Sequence, residues 1–409
     1  MSNIPKLRFP EFSGEWEEKK LSDFMTRLTR KNSNNESSRT LTISSVDGLI
    51  DQGEFFKKQI ASKDTSGYYL LKNGDFAYNK SYSVGYDYGS IKRLDRYEDG
   101  VVSTLYICMT LTSDTNSDYL THYFNSMKWN KSVSEISAEG ARNHGLLNIP
   151  TESFFQTKHF LAPTLAEQQK IADFLSNVDS IITAETKILN TLQKKKKALM
   201  QKLFTRQLRF KSDDGTDFPA WKEKKLGEIA IFSKGNGYSK SDLVSNGTPI
   251  ILYGRLYTKY ETSISEVDTF VLEKKNSVIS KGDEIIVPAS GETAEDISRA
   301  SVVKHAGIIL GGDLNIIEVD LNHYIPEYIA LCISNGEPKK RMAKLAQGKT
   351  IVHLHNSDLQ QLIFSIPCKE EQQKIADCLS SLDSLIQTQQ KVVTTWQQRK
   401  KALLQQMFI

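Results

Sequence analysis

The chain carries one long helical segment twice. Residues 167–204 (EQQKIADFLSNVDSIITAETKILNTLQKKKKALMQKLF) and 371–408 (EQQKIADCLSSLDSLIQTQQKVVTTWQQRKKALLQQMF) align without a gap at an offset of 204. Roughly half of the aligned positions are identical, and a repeat of this length means one structural unit used twice. The fold is thereby restricted to two similarly built halves on a common helical frame. What lies between the helices differs.

Within the first copy, apolar residues fall at Ile171, Leu175, Val178, Ile182, Leu189, Leu192, Leu199 and Leu203, and in the second at Ile375, Leu379, Leu382, Ile386, Val393, Trp396, Leu403 and Met407. Steps that alternate between three and four are the heptad seam of a coiled coil. Both copies break the seam at matching points, Glu185 and Gln389, then Lys196 and Lys400. Polar seam residues commonly fix register at some cost in stability. Phe174, Ile181 and Ile188 widen the stripe beyond a two-stranded seam, leaving room for more than one neighbour. Neither segment contains Gly or Pro, and each follows a proline, Pro163 or Pro367. Each therefore reads as one uninterrupted helix, about 57 Å long at 1.5 Å per residue. An antiparallel pair would satisfy a pseudo-two-fold and set the differing parts at opposite ends, a separation equal to roughly 17 base pairs of B-DNA. The run Lys194–Lys197 has a counterpart in Arg399-Lys400-Lys401, which favours a solvated or partner-facing helix face over a DNA patch.

The duplication extends further. Trp16-Glu17-Glu18-Lys19-Lys20-Leu21 matches Trp221-Lys222-Glu223-Lys224-Lys225-Leu226, and Leu7-Arg8-Phe9 recurs as Leu208-Arg209-Phe210. Asn73-Gly74-Asp75-Phe76 matches Lys281-Gly282-Asp283-Glu284, each followed by a strand-like run. Strands are expected at Tyr68–Leu71, Val101–Met109, Pro249–Tyr253, Glu284–Pro288, Ile308–Leu310 and Asn315–Val319. The fold class is mixed α/β (α+β): two variable domains at 1–165 and 207–369, and two long helices at 166–206 and 370–409 forming an antiparallel coiled coil.

With 409 residues, 39% hydrophobic and 25% charged, the chain suits two or three soluble domains. It has no run of about 18 apolar residues, and its first ten residues lack a signal-peptide core, so a cytoplasmic protein is expected. Cys108, Cys332, Cys368 and Cys378 show no CxxC spacing and are expected reduced, without zinc. A net charge of +4 permits nucleic-acid binding through local patches without demanding it.

The pattern W-x-x-x-x-L, then Ala346-Gln347-Gly348-Lys349-Thr350, then I-P-x-x-x-EQ-x-KIA-x-x-L-x-x-x-D, closed by KKALxQ-x-x-F, resembles the specificity subunit of type I restriction-modification systems over the whole chain. The resemblance implies a sequence-specific subunit that binds double-stranded DNA, each domain reading half of a bipartite target. It also implies helices that dock two methyltransferase subunits and, through them, restriction subunits. S-adenosylmethionine, ATP and magnesium would belong to those partners, with no cofactor and no metal in this chain. One departure is that Gln347–Thr350 is answered in the first half only by Gly140-Ala141-Arg142-Asn143-His144.

Base readers are usually Arg, Lys, Asn, Gln, Ser or Thr on loops, and Lys and Arg supply affinity on phosphates. In the second half the candidates are Tyr253, Arg255, Tyr257 and Lys259, where basic and aromatic residues interleave after a strand, and Ser290 and Glu292 in the loop after the next one. Lys340, Gln347 and Lys349 form a basic stretch suited to phosphates. In the first half the matching positions are Ser45, Lys80, Ser81, Tyr82, Arg142 and Asn143. Catalytic motifs fail. Gln347–Thr350 lacks the first glycine of a P-loop, Gly235-Asn236-Gly237 has Lys240 where a dinucleotide fingerprint needs glycine, and His353 and His355 lack partners at metal-ligand spacing. No catalytic residue is assigned. The rival expectation is a duplicated coiled-coil scaffold that binds only proteins; a third is a nuclease or ATPase with an unrecognised site.

Overall fold

The computed structural model describes residues 3–56, 62, 64–112, 115–137, 147–345 and 352–409. It forms two compact units, residues 1–186 with 391–409, and residues 187–390. Each long helix is divided between them. The central helix is Leu165–Phe204 and the C-terminal helix Lys369–Met407, each unbroken, as the seam and the lack of Gly and Pro require.

Both units are built on one sheet plan. In the first, an antiparallel sheet runs in the order Met25–Arg27, Ile107–Leu111, Phe76–Asn79, Ser90–Arg93. In the second, Ala230–Lys234, Leu314–Val319, Glu284–Pro288 and Ser301–Val303 pair the same way, with Ser263–Ile264 added in parallel. The predicted run Val101–Met109 is two strands. Asp99–Val102 pairs with Tyr69–Lys72, and a turn at Ser103–Tyr106 separates it from Ile107–Leu111. Gly235 and Gly237, set aside as a dinucleotide motif, serve packing. A Cβ on Gly235 would stand 1.9 Å from the Gly311 carbonyl oxygen, and Gly312 donates its N–H to the Gly237 oxygen.

A small ribbon joins each domain to its helix. Glu17–Lys20 pairs with Lys158–Leu161, and Lys222–Lys225 with Ile363–Ile366. The doubled Glu-Gln-Gln that opens each helix is explained here. Glu167 is 1% exposed and accepts from Arg8 at 2.7 and 2.8 Å and from the Trp16 indole at 3.1 Å. Glu371, fully buried, accepts from Arg209 at 3.1 and 2.7 Å and from Trp221 at 3.0 Å. The next residue ties down backbone. Gln168 accepts from the Asn116 N–H and donates to the Ala162 carbonyl, while Gln372 accepts from Ile325 and donates to Pro367. The third residue donates one turn on along its own helix, Gln169 to Asp173 and Gln373 to Asp377, both at 2.7 Å.

The helix segments run antiparallel within each unit. In the first, Ile171 and Leu175 share a core with Leu404, Met407 and Phe408. In the second, Leu203 shares one with Ile375 and Leu379. Every seam position named above is buried or half-buried. The seam lysines are not solvated: Lys400 pairs with Asp179 and Lys196 with Asp383. Lys196 thus departs from the expectation for the lysine run, whose members Lys194, Lys195 and Lys197 are exposed. The closing phenylalanine of each copy plugs its domain. Phe408 lies 5.4–6.2 Å from the rings of Trp16, Tyr119 and Tyr123, and Phe204 stacks on Tyr328 at 6.2 Å.

Candidate nucleic-acid interface

In each unit the central strand runs into a loop, and a later segment, at Leu147 or Leu354, hydrogen-bonds to that loop. Leu147 donates its N–H to the Lys80 carbonyl at 3.0 Å, and Leu354 donates to Ala289 at 2.9 Å. Ser290–Gly291 also pairs with Val352–His353. Lys80 and Ala289, at the start of the matched loops, therefore occupy equivalent places. Arg142, Asn143, Gln347 and Lys349 lie outside the described residues.

In the first unit the loop after Phe76–Asn79 begins with Lys80, whose neighbour Ser81 donates its N–H to the Asn79 side chain at 3.0 Å. The loop then folds on itself through a bridge between Ser83 and Tyr86, leaving Tyr82 46% exposed. Gly89 closes it at φ +79°, where a Cβ would stand 2.1 Å from the Asn79 carbonyl oxygen, so only glycine fits. Ser45, in the turn of the hairpin Leu41–Ser44/Gly48–Asp51, reaches this loop. Its Oγ is 3.0 Å from Ser83 Oγ and 3.2 Å from Ser90 Oγ. Lys80 also lines a cleft of about 50 Å³ with Arg27, Tyr69, Thr104 and Thr151. Lys31 Nζ lies 3.9 Å from the centroid of the Tyr69 ring. Arg27 and Tyr69 were not expected from the sequence; they line the cleft with Lys80 through pairing across long separations, which local patterning does not encode. Two cations, Arg27 and Lys80, on one cleft with Tyr69 suit phosphates, and the hydroxyls suit base edges.

The second unit corrects two expectations, for Arg255 and Ser290. Arg255 was expected to contact DNA from the basic and aromatic run that follows a strand. It begins a short helix, Arg255–Thr258, and its side chain is only 8% exposed, bound to Asp268 at 2.6 Å and Glu261 at 2.9 Å. With both terminal guanidinium nitrogens donating to carboxylates and its side chain buried, it braces the domain and presents no two-donor fork to a guanine. Ser290 is buried in the two-residue strand, and its carbonyl accepts from the Tyr257 hydroxyl at 3.3 Å. The burial that supports this contact pushes the Tyr257 phenol up, so it stays a neutral donor. Lys340 is exposed on the helix Gly336–Leu345 and pairs with Glu337 at 2.8 Å, so its charge is partly offset. Tyr253 meets Tyr257 edge to face at 5.9 Å, Lys259 lies 3.3 Å from Asp268, and Glu292 is exposed in the loop after the central strand. Gly291 is required because a Cβ would meet Ile297 at 2.6 Å.

The two units thus share a frame and differ in the chemistry at the equivalent loops: Lys80-Ser81-Tyr82 in one, Ala289-Ser290-Gly291 in the other. No helix among the described residues is long and apolar enough to cross a membrane. The family model of the type I restriction modification DNA specificity domain matches twice, at residues 13–194 and 220–395. The type I restriction enzyme MjaVIII specificity subunit of Methanocaldococcus jannaschii is 22% identical, with 97% of this chain and 92% of that protein covered. The putative MjaX specificity subunit of the same organism is 24% identical over 98% of this chain and 95% of that protein. The solved S subunit of a type I restriction-modification system from M. genitalium superposes with a TM-score of 0.61 at 14% identity, covering 99% of both chains. Matches across both halves, together with the doubled frame, carry one conclusion: the chain belongs to the type I restriction-modification DNA specificity family and is a DNA-recognition subunit.

Proposed function

We propose that each unit of this chain reads one half of an asymmetric, interrupted DNA target and that the chain itself performs no catalysis. The observation that carries this reading is the pairing of an identical frame with unlike loops. The Arg–Glu–Trp clamp and the Asp–Lys seam pair occur in both units, while the residues after the central strand differ. Selection on a common frame with diverged loops fits two recognition tasks of one kind. The long helices would dock two methyltransferase subunits, which transfer a methyl group to adenine N6 in each half after flipping the base from the stack. Restriction subunits would join through the methyltransferases. S-adenosylmethionine, ATP and magnesium would be held by those partners in the cytoplasm. A scaffold that binds only proteins has no support from the family match.

The test is a genome-wide map of methylated adenines with and without this gene. Deletion is expected to remove one bipartite, asymmetric motif; an unchanged map with the methyltransferase expressed would refute the reading. Exchanging residues 1–165 for the first domain of another family member should alter one half of the motif and leave the other. Change in both halves, or in neither, would refute the modular assignment.

A further inference from the structure

Val84 and Val46 are the two most exposed large hydrophobic residues among those described, at 90% and 82%. Both sit at the tips of tight turns in the first unit. Val84-Gly85 is the two-residue turn closed by Ser83 and Tyr86, with Gly85 at φ +82°. Val46 stands in the turn closed by Ser44 and Gly48, where Ser44 Oγ holds Asp47 at 2.9 Å and accepts its N–H at 3.0 Å. Turn tips favour Asn, Asp, Gly and Ser, and a β-branched residue there gains nothing for the fold. A single exposed valine is ordinary. Two on turns joined to each other are a different matter: the Ser45 and Ser83 hydroxyls, each beside one valine, are 3.0 Å apart, and Ser45 also bonds to Ser90 at 3.2 Å. The result is two exposed valines on turns tied together by hydroxyls, one of the turns belonging to the Lys80 loop.

We propose that Val46 and Val84 read a thymine 5-methyl group in the major groove, resting on the assignment of this unit to DNA recognition. The groove offers one apolar feature, that methyl, and an aliphatic side chain is its usual complement. Valine's single favoured rotamer means that little side-chain entropy is lost on contact. Ser45 and Ser83 flank the prongs with groups that donate to or accept from neighbouring base edges. The hydroxyl network fixes the tip in advance, so the contact discriminates and is not merely sticky.

The assay measures binding of the assembled specificity–methyltransferase complex to duplexes bearing its methylation motif, each thymine on either strand replaced in turn by deoxyuridine. At least one replacement should weaken binding about fourfold, the worth of one buried methyl-sized group. That penalty should vanish in the Val46→Ala/Val84→Ala complex, because the partner of the methyl is gone. A complex indifferent to every uridine, or a penalty undiminished in the double variant, would overturn the proposal. So would failure of the double variant to assemble with the methyltransferase, which would make the valines a protein contact. Absence of any motif dependent on this chain would instead sink the recognition reading, and the proposal with it.

Discussion

Replacing Arg8 with Met tests whether the clamp at the start of the central helix holds the first domain to it. The substitution keeps the aliphatic stem and strands the Glu167 carboxylate, which is 1% exposed, with the Trp16 N–H at 3.1 Å as its remaining side-chain donor. Breaking a buried ion pair from one side costs about 3–5 kcal/mol, because an uncompensated charge stays behind. Trp16 still satisfies part of the carboxylate, so the lower end, about 3 kcal/mol, applies. Arg209→Met strands Glu371 in the same way, but Arg209 is 30% exposed against 10% for Arg8. Water reaches that site more easily, and the expected cost is smaller, about 2 kcal/mol. Adding Glu167→Gln to Arg8→Met removes the stranded charge and should return at least about 1 kcal/mol. The measurement is urea unfolding of the full chain, with hydrogen exchange over residues 165–175 and 369–379 to locate each loss in its own unit. A cost below about 1 kcal/mol for Arg8→Met, or strict additivity in the double variant, would refute the account.

Three further perturbations follow from the first unit. His159 and His122 are 2% and 4% exposed, and burial pushes both imidazoles down from 6.5 to about 4. The unfolded chain then takes up protons that the folded one refuses, so stability is full above pH ~6.5 and falls as pH drops toward 4, by roughly 2 kcal/mol per histidine at pH 5. His159→Gln should shrink the loss between pH 7 and pH 5 by about that amount in urea unfolding, and an unchanged difference would show that another group carries it. Gly89→Ala forces a Cβ onto the Asn79 carbonyl and should cost about 2 kcal/mol or more while weakening DNA binding through the Lys80 loop; a neutral variant in binding and melting would refute that loop's role. Phe408→Ala removes a ring that is 2% exposed and should cost about 3–4 kcal/mol, against clearly less for half-buried Phe204→Ala, as measured by paired thermal melts.

The frame was legible because the chain contains its own comparison. Two copies of the seam located both helices, and the repeated Leu-Arg-Phe and Trp-x-x-x-x-Leu marked segments whose partners, Glu167 and Glu371, lay within the doubled motif itself. What the clamp does was not legible, since Arg8 and Glu167 are 159 residues apart and no periodicity links them. Strand boundaries failed where apolar character continued through a turn, as at Ser103–Tyr106. At the candidate interface a basic residue's type says nothing of its neighbours. Arg255 looked like a reader until Glu261 and Asp268 were found on it, and Arg27 looked like nothing until the sheet carried it to Lys80. Side chains whose role depends on long-range pairing are the ones that local pattern misjudges.

The seam lysines raise a question of cost. Leucine at Lys196 and Lys400 would add apolar contact to the seam; these ion pairs are half-buried, and well-packed apolar replacements for pairs removed from water are often neutral or stabilising. The return is register. A seam of apolar heptads tolerates a slip of seven residues, and in an antiparallel pair such a slip would set Lys400 against Ala172 or Thr186 and Lys196 against Ala376 or Gln390. None of these is acidic, so a slip would break both Lys–Asp pairs as they stand. Because Asp179 and Asp383, like Lys196 and Lys400, are related by the repeat, the same penalty falls on both units. Replacing all four residues by Leu should therefore leave stability equal or higher while loosening register. Spin labels across the two helix segments of one unit should show a single distance in the natural chain and a second, displaced by about 10 Å, in the variant. A single unchanged distance in the variant would place control of register elsewhere, with the buried carboxylates Glu167 and Glu371 as the groups that hold it.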